Sequence, residues 1–346
     1  MIKTLFHQIG AYKKDSILTP IYAAAEVIME ILIPFVTAAI IDEGIQAGNM
    51  QKVLQYGVIM IVLALLSLFF GIQAGRKAAS ASTGFACNLR ESMYRNIQTF
   101  SFSNIDKFST AGLVTRMTTD VTNMQNAYQM ILRIAVRAPM TLICSMVMCF
   151  IINVKLSLIF LVALCVLAAA LIYIMMHAMP VFQEVFSKYD DLNASVQENV
   201  TAIRVVKAFV REDFENQKFG KAAEVLCKLF VKAESIIVFN APIMMTVIFA
   251  SMLGLSWIGA QLIVAGDLTT GNLMSLFSYV LSIMMSLMML SMIFVMLTMS
   301  TASAKRIVEV LNEKADLTDP QEPLKEVKDG SIDFNHVSFS YKAGTG

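Results

Sequence analysis

Six stretches of this chain are each long and apolar enough to cross a lipid bilayer, and that excludes most folds. A spanning helix needs about 20 consecutive, mostly apolar residues. Residues 17–41, 53–74, 131–152, 156–180, 235–265 and 268–304 meet the requirement. The third is the weakest, because Arg133 and Arg137 interrupt it before an apolar run from Pro139. Hydrocarbon offers no water to backbone N–H and C=O groups, so such segments span as helices. Charged side chains make up only 15% of the 346 residues, well below the level of soluble domains. The expected fold class is an all-α membrane protein with six transmembrane helices. The first segment is too long for a signal-peptide core and lacks a small-residue cleavage site, so it is read as a span. Five cysteines form no CxxC pair and lie in apolar or helical stretches, which makes them free thiols rather than disulfides or metal ligands. With three histidines, no metal site is expected.

Charge sets the expected orientation. Of the 27 Lys and Arg residues, all but Lys52 and Lys155 fall toward one side of the six spans. Basic residues stay on the cytoplasmic side, so both termini are expected there, in a multi-pass protein of the plasma or inner membrane. Before the first span, Ile2, Leu5, Phe6, Ile9 and Tyr12 recur at helical spacing with Lys3, His7 and Gln8 between them. Residues 1–15 therefore read as an amphipathic elbow helix on the inner surface.

The loops on the basic side are long and keep helical periodicity. No proline interrupts the chain between Pro34 and Pro139, or between Pro180 and Pro242. The spans are therefore expected to continue unbroken into the cytoplasm, with some thirty extra residues reaching roughly 40 Å beyond the bilayer. Two turning points are expected. One is "SNIDKFSTAG", Ser103–Gly112, and the other "REDFENQKFG", Arg211–Gly220. Each joins charge, an aromatic ring and a glycine. That suits a docking surface for a partner domain, although an ordinary solvated turn has the same composition. The last span runs on through "KRIVEVLNEKADLTDP" until Pro320 and Pro323 end it. The six-helix domain is thus expected over 16–312, a linker over 313–329, and a new unit from 330. In that unit, Ile332, Phe334, Val337 and Phe339 alternate with polar residues like the first strands of a soluble sheet.

Four ordered stretches carry a family likeness over nearly the whole chain. They are "IDKFSTAGLVTRMTTDVTNMQ" (Ile105–Gln125), "ENVTAIRVVKAFVREDFENQKF" (Glu198–Phe219), "GDLTTGNL" (Gly266–Leu273) and "SAKRIVEVLN" (Ser303–Asn312). Together they resemble the transmembrane half of ATP-binding cassette exporters, which join six spanning helices to one nucleotide-binding domain. "EVIMEILIPFVTAAIIDEGI" (Glu26–Ile45) looks most like bacterial members that pair as heterodimers. The resemblance implies a second half-transporter subunit as partner, identical or different, with a heterodimer favoured. It also implies ATP with magnesium as the cofactor of the full-length protein, and no nucleic acid. By the same likeness, Asp106, Lys107, Phe108, Arg116 and Asp120 on the first arm, and Arg211, Glu212 and Phe214 on the second, are expected to couple the spans to nucleotide domains. Tyr341 would stack on adenine. The sequence ends at Gly346 with no GxxxxGK[ST] loop, so the resemblance implies a piece of a longer transporter that holds no nucleotide alone.

Intramembrane charge marks a candidate cavity. Glu26 and Glu30 are one helical turn apart, as are Arg133 and Arg137. Carboxylates inside a span either line a substrate path or pair with cations such as these arginines. Met285, Met288 and Met292 share a stripe on the sixth span. Flexible thioethers suit a hydrophobic or amphiphilic substrate, although packing or lipid contact also accounts for them. Two further classes stay open on sequence: a secondary transporter, which would show broken helices and repeat symmetry, and a membrane sensor with a cytoplasmic output domain. A phosphate-binding loop beyond Gly346 in the parent gene would select the exporter.

Overall fold

The computed structural model describes residues 2–315, 317 and 329–337. Helices dominate: α1 (Ile2–His7), α2 (Lys13–Ala39), α3 (Met50–Ile97), α4 (Phe102–Phe108), α5 (Thr110–Thr115), α6 (Val121–Ile152), α7 (Val154–Thr201), α8 (Ile203–Ala208), α9 (Glu212–Ile237), α10 (Asn240–Ala265) and α11 (Thr270–Asn312). Single π-helical turns at Ile40–Ile45 and Arg116–Asp120 extend α2 and lead into α6. Six helical stretches are long and apolar enough to cross a membrane. The most apolar part of α3, with mean hydropathy 2.4, has none of its residues buried inside the protein. An apolar helix surface without protein cover is suited to hydrocarbon.

Sequence chemistry starts and stops these helices where one end of the bundle turns tightly. The side chains of Asn49, Asn153 and Thr269 accept from the backbone N–H of Lys52, Leu156 and Asn272 at the starts of α3, α7 and α11. These are N-caps that satisfy otherwise orphaned donors. Gly266, at φ +85°, closes α10 in the left-handed region open to glycine. At the other end α3 and α7 run on for 48 residues each, without interruption.

Two apolar clusters hold the bundle. In the short-loop half, Val27 and Ile31 of α2 pack with Phe160 of α7, Leu255 of α10 and Leu276, Tyr279 and Ile283 of α11. At the base of the first arm, Phe85, Leu89 and Met93 of α3 pack with Phe108, Leu113, Ile307 and Val310. The second arm, α7 with α9, shares only a small cluster of Val185, Leu226 and Ala233. Hydrogen bonds also tie α11 to α2: Gly271 N–H donates to Asp42, Ser275 Oγ to the Pro34 carbonyl and Tyr279 Oη to the Ile31 carbonyl, at 2.8, 2.6 and 2.9 Å.

Two expectations change, the second turn and the C-terminal strands. The second arm reverses at Ala202–Arg211, with α8 as its tip, and Arg211–Gly220 opens α9 instead. The turn rests on Val210 at φ +50°, so Gly220 is not needed for it and sits inside a helix. In the first arm the break falls at Ser109, at φ +54°, inside the expected Ser103–Gly112, and Gly112 lies within α5. Residues 329–337 form no strand. Asp329 instead accepts from the Ser331 N–H in a local turn. Strands of this length need sheet partners to persist, and none of the described residues supplies one. Residues 338–346, with Tyr341, lie outside the described residues.

Candidate functional site

The first arm ends in a junction with the exit helix, the last third of α11. Asp120 lies in the π-turn before α6 and is 0% exposed. Its carboxylate accepts from Ser303 Oγ at 2.9 Å, and from Arg306 Nε and Nη2 at 2.7 and 2.5 Å. Arg306 keeps its side chain 50% exposed. The hydrogen bond to Asp120 raises the Arg306 pKa above its ordinary value. One turn earlier, Arg116 Nη1 donates to the Arg306 carbonyl and to Glu309 at 3.0 and 2.8 Å. Its guanidinium lies 4.7 Å from the centre of the Phe108 ring. Lys107 pairs with Glu313 at 2.8 Å. Asn104 donates to Glu313 and to the Lys314 carbonyl, and Asn96 to the Val310 and Glu313 carbonyls. The last two are carbonyls that a helix end leaves without internal partners.

Of the arm residues singled out in sequence, Lys107, Phe108, Arg116 and Asp120 are therefore engaged inside the protomer. Asp106 is exposed and makes no ion pair among the described residues. The exposed aromatic at this tip is Phe102, at 86%, while Phe108 is buried against Phe100. Sequence reasoning missed the α11 half of the junction. Ser303, Arg306, Glu309 and Glu313 recur at three- and four-residue steps on one face, which was the available signal.

In the second arm, Arg211 lies over the Phe214 ring, 5.9 Å from its centre, and Lys207 pairs with Glu212 at 2.9 Å. Phe209, Val210 and Phe214 are exposed there. An open groove of about 520 Å³, lined by Val196, Val200, Ile203, Val206 and Phe219, lies between the end of α7 and the start of α9.

A third constellation lies within the spans. Arg137 of α6 reaches both glutamates of α2, with Nη1 donating to Glu26 at 2.5 Å and Nη2 to Glu30 at 2.8 Å. The sequence left the choice between Arg133 and Arg137 open, and the pairing falls on Arg137. Gly71 of α3 makes room for the Glu26 carboxylate: a Cβ there would stand 2.9 Å from Oε1. Glu26 Oε2 is buried without a hydrogen-bond partner among the described residues. Glu30 is 51% exposed at its side chain. Arg133, one turn nearer the arms, makes no ion pair among the described residues. Met285, Met288 and Met292 are exposed on the α11 surface.

The model of the ABC transporter transmembrane region matches residues 17–288. The chain belongs to this family. Relatives include YfiB of Bacillus subtilis, named as an uncharacterized ABC transporter ATP-binding protein, 32% identical over 91% of this chain and 55% of its own length. Another uncharacterized ABC transporter ATP-binding protein, Rv1273c of Mycobacterium tuberculosis, is 28% identical over 93% of this chain and 56% of its length. An ATP-dependent lipid A-core flippase of Desulfotalea psychrophila is 27% identical over 73% and 45%. The chain thus spans about half the length of these relatives. As an ABC transporter membrane domain it is a multi-pass membrane protein. The match ends at residue 288, so the α11 side of the Asp120–Arg306 junction lies beyond it.

Proposed function

We propose that the chain is the membrane half of an ATP-driven ABC exporter subunit. It pairs with a second half-transporter and moves a hydrophobic or amphiphilic substrate outward by alternating access. The observation that carries this reading is the junction. The exit helix leaves the bundle and is bonded to the first arm at five side chains: Asp120, Arg116, Lys107, Asn104 and Asn96. A nucleotide domain following α11 in the full-length protein would pull on the exit helix and the first arm together. The arms lie on the side where basic residues concentrate, which supports a cytoplasmic location for them and for both termini. The exposed tip at α8, with Phe209, Val210 and Phe214, suits docking to a second nucleotide domain.

The same reading gives the intramembrane charges a role. Glu26 and Arg137 brace α2 against α6, because a buried charge needs its partner. Half-exposed Glu30 and Arg133 would line the translocation path with the Met285–Met288–Met292 surface, where they would meet the polar end of an amphiphile. A relative named as a lipid A-core flippase supports a cargo with a polar head and apolar tails. A complete transporter reconstituted in vesicles tests the reading. ATP-dependent movement of a fluorescent amphiphile is expected, with loss of coupling in Asp120→Ala. Gradient-driven transport indifferent to ATP would favour a secondary transporter and overturn it.

A further inference from the structure

The elbow at the N-terminus borders an open apolar cavity of about 340 Å³ that the transport reading does not use. Its walls come from four elements: Phe6 and Ile9 of the elbow, Phe85 of α3, Ala127 and Tyr128 of α6, and Leu297 of α11. The two hydroxyls with assigned partners are already engaged. Tyr128 Oη donates to Ser16 at 2.8 Å, and Thr301 Oγ1 to the Leu297 carbonyl at 2.8 Å. The cavity thus offers an occupant mainly hydrocarbon contact.

The elbow is held in place, so the cavity is preformed. Asn88 Nδ2 donates to the Gln8 carbonyl and Ser92 Oγ to the Gln8 side chain, at 2.8 and 2.7 Å. Gly10 turns the chain at φ +52°, and Gly84 lies so close to Tyr12 that a Cβ would stand 2.3 Å from its ring. Along α6, Ile131 is 21 residues from the helix end at Ile152, or about 32 Å at 1.5 Å per residue. That distance is close to the ~30 Å hydrocarbon thickness, so the cavity opens where acyl chains meet headgroups. Phe6, 62% exposed, lies at its edge. Lys3 is three residues away on the same helix, where side chains are neighbours. Lys3, Lys13 and Lys14 are exposed and make no ion pair among the described residues, while Asp15 is occupied by Lys77 and Ser80.

We propose that this cavity is a binding site for one acyl chain of an anionic phospholipid, whose phosphate faces Lys3 at the mouth. Bound lipid bridges α1, α3, α6 and α11 on the arm side of the bundle. The site rests on the membrane orientation inferred above but not on transport, and its test needs neither ATP nor substrate.

The chain is reconstituted in phosphatidylcholine vesicles containing a trace of phosphatidylglycerol with a photoreactive acyl terminus. After irradiation, labelled peptides are mapped by mass spectrometry. Labelling is expected to concentrate in residues 5–9, 124–131 and 297–304, at least five-fold above the exposed lipid face of α3. Ala127→Phe, which fills the cavity, is expected to abolish the enrichment. Leu297→Trp does the same from another wall, should the first variant fail to fold. Lys3→Gln is expected to remove the preference for phosphatidylglycerol over an equally labelled phosphatidylcholine. Uniform labelling, enrichment that survives both filled variants, or displacement by a fluorescent cargo amphiphile but not by phosphatidylglycerol would each overturn the proposal.

Discussion

Removing the Asp120 carboxylate isolates the junction between the first arm and the exit helix. Asp120→Ala deletes two charge-assisted hydrogen bonds from Arg306 and one from Ser303. Hydrogen bonds to charged groups contribute about 1.5–3 kcal/mol each, so the two from Arg306 have a gross value of about 3–6 kcal/mol. Arg306 is 50% exposed and can turn to water after the substitution, so about half of this is recovered by solvation. The expected pairwise coupling is therefore about 1.5–3 kcal/mol. A double-mutant cycle of Asp120→Ala, Arg306→Ala and their combination, read by denaturant unfolding in a fixed detergent, measures it. The double variant should lose about 1.5–3 kcal/mol less than the sum of the two single variants. A coupling below about 0.5 kcal/mol, the scatter expected for independent sites, would refute the claim that the junction is a bonded unit.

The intramembrane triad gives two more expectations. Arg137→Met leaves Glu26 and Glu30 without their cation, and breaking a buried pair in this way costs about 3–5 kcal/mol, which a large drop in thermal stability and folded yield would register. Gly71→Ala places a methyl group 2.9 Å from Glu26 Oε1 and should cost about 1–3 kcal/mol by overpacking; the smaller Glu26→Ala should relieve the crowding in the double variant. At the elbow, Gly84→Ala drives a Cβ into the Tyr12 ring and should release the elbow, seen as faster trypsin cleavage at Lys13 and Lys14. Gly57→Ala, which meets nothing within 4 Å, is the control and should stabilise its helix by up to about 1 kcal/mol.

Much of the fold was legible because lipid leaves few options. Apolar length gave the six spans, and the absence of proline gave the unbroken arms of α3 and α7. What sequence misplaced was the second turn. Local propensity makes glycine the sign of reversal, yet Ser109 and Val210 carry the positive φ values, which residues with a Cβ seldom adopt. The ion-pair partners were half legible. The i, i+4 spacing matched two glutamates to two arginines, but choosing Arg137 depended on how α6 is rotated toward α2. The junction is legible from one side only: Asp120 and Arg116 stand out in the first arm, while Arg306 and Glu309 have no role assigned by sequence. The polar stripe on the exit helix was readable, but which residue 186 positions away it pairs with is not encoded locally.

In the proposed transporter, first arm and exit helix move as one body while ATP drives transport. Lys107 and Glu313, paired at 2.8 Å across the junction, are the place to test it. Both are replaced by cysteine in a complete transporter from which Cys87, Cys144, Cys149, Cys165 and Cys227 have been removed, and the pair is bridged by a short cleavable linker. ATP-driven movement of the fluorescent amphiphile in vesicles is then measured before and after bridging. Unchanged transport is expected in the bridged protein, because a junction that moves as one body would not open during the cycle. Transport that stops on bridging and returns when the linker is cleaved would contradict it.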